Sequence, residues 1–253
     1  MASKGLEAIT TGGPVRVGAQ TDDVNVDDAG IDQWELKASR RALANLRTLL
    51  YGQPMIDLLQ AQIDEADSKL TQYLAESDGK YTGTRVVLTV EGLKIEQFIP
   101  VLRSILGAAA ADDDEGRRKA SIDFLFPTHP EHYSLPIKGV GVIETMGGIP
   151  TRSFPAFAPP EEVPDFVSAL IDKSYDISMT GKAGLEDGTI FTYVLQEYKD
   201  TLAGMEVSLR IWYPAACPPE YVKEHSEHYA VEFRNGCRMA AAALPPAPVP
   251  QIR

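Results

Sequence analysis

Leucines at positions 36, 43, 46, 49 and 50 recur at helical spacing, and after Tyr51-Gly52-Gln53-Pro54 the period resumes through Leu58, Leu59, Ile63, Leu70 and Leu74. Apolar side chains that return every three or four residues share one helical face, so the pattern predicts a helical hairpin over residues 31–80, closed by Glu76-Ser77-Asp78-Gly79. Thr82 to Val90 then reads as a strand, and Leu93 to Leu106 as an apolar helix after Gly92. Ile122, Phe124 and Phe126 alternate in strand fashion until Pro127 stops the ladder. Gly139 to Gly148 is an apolar strand carrying one carboxylate, Glu144, and closed by glycines. Phe154 to Pro160 is extended, and Glu161-Glu162-Val163-Pro164 opens a short helix to Ile171. Strands are expected at Tyr175–Met179, Thr189–Gln196 and Met205–Trp212. Pro218, Pro219 and Glu220 precede a run without proline, Tyr221 to Leu244, that is expected to be one long helix.

Strand, helix, several antiparallel strands and a long terminal helix make an α+β layout, with a curved sheet wrapped on the last helix and a cavity between them. The expected organisation is a flexible arm over 1–30, the helical hairpin over 31–80, a cavity domain over 81–245 and a flexible tail over 246–253. The arm is rich in Gly, Thr, Asp and Val without helical periodicity. No internal repeat is apparent.

With 253 residues, 44% of them hydrophobic, the chain has enough apolar material for a core. A net charge of −12 argues against nucleic acid or an anionic membrane surface as partner, because both would repel it. Part of that charge lies in Asp22, Asp23, Asp27 and Asp28 and in Asp112 to Glu115, which read as solvated tail and loop. No stretch approaches the ~20 consecutive apolar residues that span a bilayer, and Met1 to Gly5 is not followed by an apolar signal segment, so a soluble cytoplasmic protein is expected. Cys217 and Cys237 bracket a helix that would hold them about 30 Å apart, which predicts free, structural thiols. There is no GxxxxGKS loop, no GxGxxG between strand and helix and no GxSxG elbow, so nucleotide-binding and serine-hydrolase readings lose support.

The chemistry concentrates elsewhere. All four histidines fall in two copies of one tetrapeptide pattern, His129-Pro130-Glu131-His132 and His225-Ser226-Glu227-His228. Imidazole is the commonest protein ligand for transition metals and the usual proton carrier near neutral pH, so the two loci suggest two halves of one site. On a helix, His228 and Glu232 stand one turn apart on one face and can both reach one divalent ion; a solvated face with paired charges would share that spacing. The first pair lies at a strand end or in a loop. Glu144 is the third candidate ligand, since a carboxylate inside an apolar strand is costly to bury unless paired or metal-bound; an outward-facing strand residue is the other reading. Glu161 and Glu162 rank below it, as first-turn acids of a helix.

Three segments resemble the 2,4-diacetylphloroglucinol hydrolase and phloretin hydrolase family of metal-dependent carbon–carbon hydrolases: Thr89 to Phe98, Phe126-Pro127-Thr128-His129-Pro130-Glu131-His132, and His228-Tyr229-Ala230-Val231-Glu232-Phe233-Arg234-Asn235. The likeness covers roughly residues 83–243, with the helical hairpin a looser match. It implies a Bet v 1-like (START-like) domain behind a small helical region. It also implies zinc or another divalent metal held by a histidine of the first pair, a strand glutamate, and His228 with Glu232. His132, Glu144, His228 and Glu232 are the expected metal ligands, with His129 the alternative to His132. His129 and His225 are the expected catalytic groups, with Tyr133, Tyr193 and Tyr229 as candidates for phenol contacts. The ligand would be a hydrophobic aromatic or polyketide small molecule, and the reaction hydrolysis of an acylated phenol or related polyketide-type ketone.

The chain departs from the family where Thr128 replaces a tryptophan, where the stretch from the histidine pair to Glu144 is short, and where no separate histidine exists to contact substrate unless His225 serves. Those departures keep two alternatives open: a metal-independent cyclase or isomerase of secondary metabolism, and a non-catalytic small-molecule carrier. The helical hairpin would suit a homodimer contact, and intramolecular packing explains it as well.

Overall fold

The computed structural model describes residues 16–109, 114–137 and 141–244. The N-terminal end of the expected arm and the expected tail lie outside them, as do Asp112 and Asp113. Contacts divide the chain into two compact units, residues 1–46 and 47–253.

In the first unit, β1 (Ala19–Gln20) pairs antiparallel with β2 (Asn25–Val26). Helix α1 (Asp28–Leu49) follows, and the Asp27 carboxylate accepts the Gly30 N–H at 3.0 Å, satisfying a donor that the first turn would otherwise leave unpaired.

The second unit takes in the end of α1 from Arg47 and then α2 (Gln53–Ser77), β3 (Tyr81–Glu91), α3 (Ile95–Ala109) and α4 (Asp114–Ala120). Next come a π-turn at Ser121–Leu125, the single turn α5 (Phe126–Thr128), β4 (His132–Ile137), β5 (Gly141–Met146) and β6 (Ile149–Phe157). The short helix α6 (Asp165–Ser168), β7 (Ile177–Gly184), β8 (Ile190–Asp200), β9 (Gly204–Pro214) and α7 (Pro219–Ala243) complete it. The strands β3 to β9 form one antiparallel sheet in the order β3-β9-β8-β7-β6-β5-β4, curled into a half-barrel. The fold class is α+β, with a long C-terminal helix.

Strict alternation builds the core. Along β9, Met205, Val207, Leu209, Ile211 and Tyr213 are buried against α3 and α7. Glu206, Arg210 and Trp212 point to the other face, where Trp212 joins Val163, Val167 and Leu195. Each fully buried aliphatic or aromatic side chain contributes roughly 1.5–3 kcal/mol. On α7 the buried positions Tyr221, His225, His228, Tyr229, Phe233, Cys237 and Ala240 form one helical stripe. Two of the four histidines therefore sit on the face turned inward. Both cysteines are buried free thiols, as expected.

Three expectations need correction. Residues 122–126 are helical, not a strand: the buried positions Arg117, Ser121 and Phe126 are four and five residues apart, the spacing of a widened helical turn, and three alternating residues were too short a window to separate the two periods. Asp114 and Glu115 open α4 rather than belonging to an acidic loop. The expected helix over Glu161–Ile171 is reduced to a 3₁₀ turn, Pro160–Glu162, and the four residues of α6, with Pro164 between them. The apolar stretch ending at Gly147-Gly148 is the first arm of a hairpin. Its two-residue turn has φ of 57° and 74°, the left-handed pair that glycine adopts without steric cost. A Cβ on Gly147 would lie 2.0 Å from the Tyr221 ring, so this turn seats β5 against the start of α7.

Candidate metal centre

Three elements bring the site together. Pro219 at the first turn of α7 fixes the helix start, and from there the period places His225, His228 and Glu232 on one side. His132 is the first residue of β4, and its register partner on β5 is Glu144, so the two side chains stand as a cross-strand pair on one face of the sheet. The short sequence interval between the histidine pair and Glu144 is thus the length of one hairpin.

The Nε2 atoms of His132 and His228 are 3.1 Å apart. Glu144 Oε2 lies 3.4 Å from the first and 3.5 Å from the second. Glu232 reaches the same two nitrogens at 3.9 Å each, through Oε1 and Oε2. Two imidazole nitrogens and two carboxylates, drawn from β4, β5 and α7, therefore converge on one point. Bonds of 2.0–2.2 Å to a tetrahedral ion place neighbouring donor atoms about 3.3 Å apart, and this donor set fits such an ion with small adjustments. His129 also belongs to the group: it, His132 and His228 each offer a ring nitrogen within 4.8 Å of the others, and all three are buried.

Hydrogen bonds distinguish the two members of the first pair. His132 Nδ1 lies 2.9 Å from the carbonyl of Leu125, which can only accept, so Nδ1 carries the proton and a neutral His132 presents its Nε2 lone pair to the site. The opposite holds for His129. Its Nδ1 accepts the Glu131 N–H at 3.1 Å, which leaves Nε2 as the protonated, donating nitrogen. His132 is the better ligand and His129 the better hydrogen-bond donor. On His228 the outer nitrogen, Nδ1, is buried without a partner.

Without a metal, the cluster distributes charge unevenly. Burial pushes the Glu144 carboxyl upward, but the hydrogen bond from His132 and the neighbouring imidazoles outweigh it and hold the group well below the usual carboxylate range. Burial disfavours the His132 cation, yet Glu144 and Glu232 outweigh it and raise His132 above an ordinary histidine. Burial lifts Glu232 to about 7, against the pull of His132. Burial lowers His129 and His225 to about 4, and His228 also falls. Three of the four imidazoles are therefore neutral near pH 7.

The other expected site residues divide. His225 is buried beside the cluster, its ring parallel to that of His228 at 5.1 Å between centroids, and its Nδ1 is 2.9 Å from the Tyr213 hydroxyl. Tyr229 packs edge-on against His225 at 4.6 Å. Tyr133 lies on the opposite side of β4 from His132, packed with Ile56, Ile63 and Ile143, and its hydroxyl meets Thr145 at 3.1 Å. Tyr193 belongs to the cluster around Trp212. The structure brings neither to the metal-ligand group. Glu161 and Glu162 are exposed, and Glu162 pairs with Lys182 at 3.2 Å.

Sequence reading missed Tyr213, Arg47 and the bond from Asn235 Nδ2 to the Thr128 carbonyl, 2.8 Å. Thr128 places its hydroxyl 3.3 Å from His132 Nδ1. Comparison with protein-family models and with curated proteins returns no match for this chain.

Proposed function

We propose that this protein is a metal-dependent hydrolase that cleaves a carbon–carbon bond of an acylated phenol or related polyketide-type ketone on a Bet v 1-like scaffold. The observation that carries the reading is the convergence of His132, Glu144, His228 and Glu232, with donor atoms 3.1–3.9 Å apart. The resemblance of residues 126–132 and 228–235 to the acylphloroglucinol and phloretin hydrolases supports the reaction class.

A divalent metal, zinc in the first instance, would supply a water of lowered pKa and polarise the ketone oxygen. The chain's own groups account for the rest. His129, with Nε2–H free to donate, is suited to hold a phenolic oxygen, and the neutral His225, held by Tyr213, is suited to move a proton to the ring carbon that the acyl group leaves. Tyr229 offers an aromatic wall beside His225.

The test is elemental analysis of untagged protein, wild type against Glu232→Ala, followed by an assay of acylphloroglucinol cleavage. Near-stoichiometric metal that is lost in the variant, together with release of the acyl group as a carboxylic acid, is the expected result. Wild type that stays metal-free on reconstitution would retire the hydrolase reading in favour of a cyclase or a carrier.

A further inference from the structure

The segment between the π-turn and β4 carries His129 and leads into His132, and side chains take several of the carbonyl groups along it. The Leu125 carbonyl accepts from Thr128 Oγ1 at 2.7 Å and from His132 Nδ1 at 2.9 Å. The Thr128 carbonyl accepts from Asn235 on α7. Three more converge on one residue: Arg47 Nη1 donates to the Phe126 carbonyl at 2.8 Å, and Nη2 donates to the His129 carbonyl at 3.2 Å and to that of Pro130. Arg47 is buried, with only 4% of its surface exposed, and its guanidinium also lies over the Phe126 ring at 5.2 Å.

Burying a guanidinium is costly unless its donors are used. Here the two terminal nitrogens are used on the main-chain oxygens of Phe126, His129 and Pro130, the last two within three residues of His132, while Nε is left without a partner. Those oxygens are separated along a bent segment, and a planar fork with several fixed donors can reach them together where a single ammonium cannot. Groups that orient the ligands of a metal are worth 10–100-fold in its affinity without touching it.

We infer that Arg47 is a positioning residue of the candidate metal centre, presetting the 126–130 segment so that His132 meets His228, Glu144 and Glu232. The inference rests on the metal reading above.

The full-length chain, stripped with chelator and titrated with Co²⁺, supplies the test, because the ligand-field absorption of cobalt reports donor geometry independently of catalysis. Circular dichroism and the urea midpoint of the metal-free protein report folding. Arg47→Lys, which keeps the charge but not the fork, is expected to remain folded, to bind cobalt on the order of 10–100-fold more weakly than wild type, and to show an altered absorption band at saturation. Asn235→Ala, which frees only the Thr128 carbonyl, is expected to shift the same band less. Wild-type affinity and an unchanged band in Arg47→Lys would overturn the inference while leaving the metal reading intact. If wild type takes up no cobalt, both fall. If neither Arg47→Lys nor Arg47→Met folds without metal, Arg47 is a determinant of folding and the positioning role is rejected.

Discussion

The Nε2 atoms of His132 and His228 face each other at 3.1 Å, and Glu144 Oε2 stands within 3.5 Å of both. Two neutral imidazoles turned toward each other can share one hydrogen bond, and two that both offer lone pairs repel unless a cation lies between them. The Leu125 carbonyl keeps the proton on Nδ1 of a neutral His132, so its Nε2 is the acceptor, and His228, whose Nδ1 has no partner, can either donate from Nε2 or turn a lone pair toward a shared cation. In the metal-free protein, Glu144 and Glu232 favour the His132 cation against the cost of burial.

Glu144→Gln removes that carboxylate and keeps its shape. The expected outcome is a folded protein whose metal affinity falls by at least about tenfold, since one charged donor of four is lost. His132 should also titrate lower in the metal-free variant, because a partner that raises its pKa is gone. Metal titration and histidine NMR check the two halves of this expectation, and full metal occupancy with unchanged affinity would move the strand ligand elsewhere.

Metal affinity should rise with pH through neutrality. In the metal-free protein Glu232 holds its proton below about 7, and His132 is raised above an ordinary histidine. Both protons must leave before these groups can bind a cation, so acid competes with the metal. Glu232 alone accounts for up to about tenfold in affinity per pH unit below 7 and for little above 8, and the proton on His132 adds to the dependence. Calorimetric titrations in two buffers of different ionisation enthalpy would show net proton release on binding; affinity that is flat from pH 6 to 8 would contradict the assignment.

The hairpin that carries Glu144 offers a stability test. Gly147 and Gly148 both have positive φ, but only Gly147 is closely approached by another residue, Tyr221. Gly148→Ala should cost about 1–2 kcal/mol, the strain of a left-handed alanine. Gly147→Ala should cost that and more, because its Cβ would fall 2.0 Å from an aromatic carbon of Tyr221. Chemical denaturation of the two variants isolates the contact, and equal losses would show that the β5–β6 turn is not seated on α7.

Much of this arrangement was legible in the sequence because it depends on local period. The proline-flanked run from Tyr221 set α7, and four-residue spacing set His228 against Glu232. The lone carboxylate in an apolar strand marked Glu144. What could not be read was pairing over distance. The His132–Glu144 register depends on a hairpin whose first arm, β4, was not anticipated. In sequence Arg47 is one more cation on a helix that also carries Arg40 and Arg41, and the carbonyls it reaches lie 79 to 83 residues further along the chain. Tyr213 lay just past the expected end of its strand, and the alternation that turns it inward became visible only when β9 was extended to Pro214.

Tyr213 provides a test of how His225 is held. Its hydroxyl lies 2.9 Å from His225 Nδ1, both groups are buried, and burial keeps the phenol far above its usual pKa, so the hydroxyl stays neutral at any physiological pH. Tyr213→Phe leaves the ring packing in place and strips the bond, so a buried imidazole nitrogen loses its partner at a cost of about 1–3 kcal/mol. Metal content should be unchanged, since His225 is not among the converging donors. The ¹⁵N resonances of His225 should shift as its tautomer is released, and turnover should drop more than substrate affinity if His225 carries the proton. A variant with wild-type His225 resonances would show that Tyr213 does not fix the ring, and one that loses its metal would place His225 among the ligands.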